Sequence, residues 1–75
     1  MTKSGKSDII DREYLCNDNT LLLQKIGRKY IVYEASPQMG IQPEYHTPEG
    51  GTNLKKARLI FATICIQSLA DNYPN

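Results

Sequence analysis

A single histidine, two cysteines and a net charge of only +1 remove most common functional classes from this 75-residue chain before any motif is sought. His46 lies in the proline-flanked stretch Tyr45-His46-Thr47-Pro48-Glu49. General acid–base chemistry needs a positioned partner and a cavity that tunes the group, and a metal ion needs two or three further ligands. Glu44 and Glu49 are close in sequence but form no recognisable ligand spacing, so His46 reads as an ordinary exposed loop residue. No enzyme is expected, and no metal or cofactor.

The two cysteines, Cys16 and Cys65, stand in separate apolar segments instead of a CxxC pair. That arrangement supports neither a cysteine zinc site nor a thioredoxin-like motif, and apolar neighbours disfavour the thiolate a nucleophile needs. Both are expected as buried free thiols, although a strand packed on a helix could bring them together as a disulfide. Nine basic against eight acidic residues argue against a strongly electrostatic nucleic-acid binder. No run approaches the ~18 apolar residues of a membrane span. Residues 1–15 carry no apolar signal-peptide core, so the cytoplasm is the expected compartment. Repeats, low-complexity tracts and the GxxxxGK[ST] spacing of a phosphate loop are all missing from the sequence.

What the chain does contain is a β-rich middle and one long apolar helix. Residues 1–8 are polar and read as a flexible tail, leaving residues 9–75 as one domain. Tyr14, Leu15 and Cys16 supply strand-forming types that stop at Asn17-Asp18-Asn19, a turn signal because Asx side chains bond the local backbone. A second strand follows through Thr20, Leu21, Leu22, Leu23 and Gln24. Gly27 then turns the chain into a third strand, Lys29 to Glu34, rich in β-branched and aromatic residues. A loop centred on Ile26-Gly27 sets Leu23 opposite Tyr30 and Leu21 opposite Val32 on one face, with Leu22 and Ile31 on the other. Residues 36–52 are irregular and proline-rich, with room for a short edge strand over residues 42–47, where Pro43 is tolerated.

The helix spans residues 54–70, with Thr52 or Asn53 as its N-cap. Leu59, Ile60, Phe61, Ala62, Ile64, Cys65, Ile66, Leu69 and Ala70 cover an arc of about 240° at ~100° per residue. One sheet buries a stripe only a little over ~100° wide, so a second face needs a second protein surface. The expected fold is therefore a small α+β domain, an antiparallel meander of three strands with scope for a fourth, packed against one C-terminal helix. Its core is expected at Tyr14, Leu21, Leu23, Tyr30, Val32, Leu54, Phe61, Cys65 and Leu69.

Function is expected to lie in binding. Leu59, Ala62 and Ile66 form a candidate homodimer seam, and Met39, Ile41 and Tyr45 a candidate surface for a larger protein partner. The alternative is nucleic-acid or anion binding, by Lys25, Arg28 and Lys29 at the hairpin tip with Lys55, Lys56 and Arg58 behind Gly50-Gly51 at the helix start. Such short clusters also serve as solvated faces.

Overall fold

The computed structural model describes residues 7–72. It contains strands β1 (Ser7–Tyr14), β2 (Thr20–Ile26), β3 (Lys29–Ala35) and β4 (Glu44–Tyr45), followed by helix α1 (Leu54–Asn72). The four strands form one antiparallel sheet in the order β1-β2-β3-β4, and α1 crosses β2 and β3 on one side. The expected α+β meander with a short fourth strand is the observed fold. β1 begins at Ser7, inside the stretch expected as a tail, and Ser7 and Asp8 pair with Ile26 and Lys25. The rest of that expected tail lies outside the described residues.

The hairpin register differs from expectation by two residues: Leu23 faces Val32 and Lys25 faces Tyr30. The reason is the loop. Ile26 and Lys29 close the ladder, leaving Gly27-Arg28 as a two-residue turn in which Gly27 takes φ +63°, the first-position geometry that glycine supplies in type II′ hairpins. A shift of two preserves the faces, because side chains alternate with period two. Leu21, Leu23, Tyr30 and Val32 therefore still point together at α1.

Leu21, Leu23 and Val32 are fully buried, joined by Leu15, Ala57 and Phe61, while Tyr30, Leu54, Ile60, Ile64 and Cys65 pack against them in partial exposure. Two expected core residues are outside it. Tyr14 is 73% exposed, because Glu13 pairs with Leu21 and alternation turns the next side chain to the open face. Leu69 is exposed on the flank of α1, about 120° around the helix from buried Ala57. β1 itself carries a bulge at Ile10, which restores a consistent facing for Asp11 and Glu13 toward the helix side.

The turn after β1 is built by Asx chemistry. The Leu15 amide donates to the Asn19 carbonyl at 2.8 Å, the Asn19 amide to Asn17 Oδ1 at 3.0 Å, and Asp18 adopts φ +74°. Asn53, not Thr52, caps α1: its Oδ1 accepts from the Lys56 amide at 2.8 Å. Thr52 is occupied elsewhere, exchanging two 2.8 Å backbone hydrogen bonds with Tyr30.

Candidate functional site

Three surfaces carry the chemistry of the molecule: the outer side of α1, a basic end and a polar end. The outer side follows from the helical period. Ala57 and Phe61 are buried against the sheet, which turns Leu59, Ala62 and Ile66 outward, and all three are exposed. Leu69 and Ala70, also exposed, continue this apolar stripe toward the C-terminal end. The three residues expected as a dimer seam thus share one uncovered face.

Met39 and Ile41 lie in the connection between β3 and β4, with Met39 98% exposed. Tyr45, on β4, is also exposed and packs its ring against Tyr33 at 5.5 Å between centroids. Burial, followed by the neighbouring Tyr45, raises the Tyr33 phenol above its ordinary value. Tyr33 and Tyr45 belong to the sheet face opposite α1, together with Leu22 and Ile31. A cavity beside them is bounded by Ile31, Tyr45 and Pro48.

The double hydrogen bond between Tyr30 and Thr52 ties the start of β3 to the segment just before α1. It brings the two basic clusters to one end of the molecule: Arg28 and Lys29 are exposed at the hairpin tip, Lys25 is half-buried, and Lys55, Lys56 and Arg58 are exposed on the first turns of α1. Asn53, Lys55, Lys56, Arg58 and Leu59 line an open hollow there. None of the six basic side chains forms an ion pair with a described residue. The glycine pair ahead of the helix has a packing role. A Cβ on Gly51 would stand 2.9 Å from both Lys29 Cβ and the Tyr30 carbonyl oxygen, so glycine is what permits the close approach of this segment to β3.

The polar end is built by β3, β4 and the Asx turn, and it contradicts the reading of His46 as an isolated exposed residue. His46 is half-buried, anchored by its amide donating to the Val32 carbonyl at 2.8 Å, and its Nε2 lies 3.2 Å from Glu34 Oε1. Glu34 Oε2 accepts from Asn19 Nδ2 at 2.6 Å and Asn17 Nδ2 at 3.3 Å. Burial alone raises the Glu34 carboxyl, but the Asn19 and Asn17 amides and His46 outweigh it and hold its pKa below the ordinary value. Glu34 thus remains a carboxylate. An adjoining cavity of about 220 Å³ is lined by Asn17, Glu34 and His46 on the sheet side and by Gln67, Ser68 and Asp71 of α1.

This cluster was invisible to motif spacing because its members are 12 to 17 positions from Glu34. The available signal was the edge strand: once β4 pairs antiparallel to β3, Glu44 and His46 alternate onto the face that carries Glu34.

The cysteines are neither bridged nor fully buried. Cys16 is exposed and Cys65 half-buried, because the chain leaves the sheet at Leu15, which takes the core position. Both border a small cavity of about 70 Å³ between the Asx turn and α1. Burial pushes the Cys65 thiol up, with Glu13 and Asp11 adding to the shift.

Fold and surfaces together define a small α+β protein, an antiparallel meander carrying a single C-terminal helix. No family model matches the chain, and neither a curated protein nor a solved structure matches it. No helix among the described residues is long and apolar enough to cross a membrane.

Proposed function

We propose that this chain is a small non-enzymatic, regulatory interaction protein of the cytoplasm, which assembles as a homodimer and acts by binding a larger macromolecule. The observation that carries this reading is the outer face of α1, where Leu59 and Ile66 are 67% and 66% exposed. A helix apolar around most of its circumference belongs in a setting buried on both sides, and the sheet covers one side only.

A symmetric dimer requires a self-complementary patch. Leu59 and Ile66 stand equally far on either side of Ala62-Thr63. Two helices crossing antiparallel at that point oppose Leu59 of each copy to Ile66 of the other, with the small Ala62 allowing close approach.

Charge favours the same pairing. The first turn of α1 contains Lys55 and Lys56 and no acid, and its last turn contains Asp71 and no base. Each arrangement opposes the helix macrodipole at a cost of roughly 0.3–1 kcal/mol per exposed charge. Antiparallel pairing brings the basic start of one helix to the acidic end of the other. Met39, Ile41 and Tyr45 then remain available for the larger partner, which fits the enrichment of Met and Tyr at interfaces.

Sedimentation equilibrium tests the assembly. A dimer is expected for the parent chain, and Ile66→Asp is expected to be a folded monomer, because an unpaired charge is costly in an apolar interface and harmless on an exposed one. A parent chain that stays monomeric at all concentrations defeats the reading.

A second reading is favoured by one specific observation, the Tyr30–Thr52 pairing that gathers Lys25, Arg28, Lys29, Lys55, Lys56 and Arg58 at one end. These residues would contact a nucleic-acid backbone. Fluorescence anisotropy with DNA and RNA should then show binding at low salt that weakens steeply as salt rises. No binding at low salt eliminates this reading without touching the first.

A further inference from the structure

We propose that Glu34, Glu44 and His46 form a binding site for a divalent metal ion of the zinc class. One oxygen from each carboxylate and one imidazole nitrogen all lie within 4.8 Å of one another. One pair, His46 Nε2 and Glu34 Oε1, is separated by 3.2 Å. Two ligand atoms ~2.0–2.2 Å from a tetrahedral zinc ion lie about 3.3–3.6 Å apart. The observed pair therefore needs to open by only a few tenths of an ångström to admit the ion between them.

Three features separate this group from a chance meeting of surface charges. The first is orientation: Asn19 and Asn17 both bond Glu34 Oε2, which leaves Oε1 directed at His46. Hydrogen bonds from supporting groups that fix a ligand's free atom are characteristic of metal sites. The second is charge. Glu34 and Glu44 are directly opposite on β3 and β4, a like-charge cross-strand pair that destabilises a sheet unless a cation lies between the carboxylates. The third is access. The cavity of about 220 Å³ bordering Glu34 and His46 leaves space for solvent in the remaining coordination positions.

The ligand chemistry selects the ion. One imidazole with two carboxylates suits zinc and neighbouring transition metals, whereas calcium and magnesium prefer oxygen throughout. The Glu44 side chain is exposed and forms no hydrogen bond or ion pair with a described residue, so it is free to swing the remaining distance.

Isothermal titration of the full chain with Zn²⁺ tests the proposal, alongside Ca²⁺ and Mg²⁺ and with the His46 ring followed by NMR. One Zn²⁺ per chain is expected, with a shift of the His46 ring resonances and weaker binding of the two alkaline-earth ions. Glu44→Gln is the decisive variant because the Glu44 side chain has no partner to lose, and it should weaken Zn²⁺ binding at least tenfold, as should His46→Ala. A Cys16→Ser, Cys65→Ser double variant should bind as the parent does. The proposal is overturned if Glu44→Gln binds as tightly as the parent, if the His46 ring does not respond to Zn²⁺, or if binding disappears with the cysteines.

Discussion

Gly51→Ala is expected to lower the melting temperature by at least about 8 °C, the largest effect of alanine at any described glycine. Gly51 has φ +87°, a conformation that costs a residue with a Cβ roughly 1–2 kcal/mol. The added carbon would also meet Lys29 Cβ and the Tyr30 carbonyl oxygen at 2.9 Å and Ile31 Cγ2 at 3.3 Å. Two of these obstacles cannot rotate away, since one is backbone and the other is a Cβ. Overpacking of this kind costs about 1–3 kcal/mol more.

A core of this size supplies only ~3–5 kcal/mol in total, and each kcal/mol corresponds to about 4–8 °C in a domain this small. Gly50→Ala is the control. Its φ is nearly the same, +89°, but nothing lies within 4 Å of the added carbon, so only the conformational cost applies. Thermal melts followed by circular dichroism should separate the two variants by roughly 4–24 °C. Equal losses would mean that the segment before α1 does not lie against β3 as described.

Leu23→Ala should be comparably damaging for a different reason. Leu23 is fully buried beneath α1, opposite Val32 on the neighbouring strand. Its truncation removes apolar contacts and leaves a cavity that the surrounding sheet cannot close, typically at 2–5 kcal/mol. That is most of the stability available. Leu59→Ala deletes the same atoms from an exposed position of the folded chain, where such changes usually stay within about 0.5 kcal/mol.

Urea denaturation at low protein concentration, where a dimer contributes least, should therefore leave Leu59→Ala near the parent and strongly destabilise Leu23→Ala. If Leu59 lies in the proposed dimer seam, raising the concentration should then reveal a difference between Leu59→Ala and the parent, because association contributes to stability by mass action. Equal loss in both variants at low concentration would contradict the assignment of α1's faces.

Local chemistry was legible wherever the signal lay within a few residues. The run of β-branched and aromatic types in β3, the Asx turn after β1, the positive φ of Gly27 and the long apolar helix all depend on neighbours in sequence. What short-range signals leave open is phase. The residues around Tyr14 are strand-forming whichever way they face, and only the pairing of Glu13 with Leu21 decides that Tyr14 points to the open side and that Leu15 takes the core position. Thr52 and Asn53 were equivalent as caps by type; the backbone exchange between Thr52 and Tyr30 decided for Asn53.

The composition of the elements and the excess of apolar surface on the helix follow from the order of residues alone, because periodicity and turn chemistry are local properties. That excess is visible in the structure as the uncovered stripe through Leu59 and Ile66. Which charged groups meet is set by the packing of the elements. Glu34, Glu44 and His46 on one side, and the hairpin tip and helix start at the other end, are brought together by strand register and by the approach of Gly51 to β3. Such encounters depend on long-range pairing: a one-residue slip of the β4 segment against β3 would turn Glu44 and His46 to the face opposite Glu34.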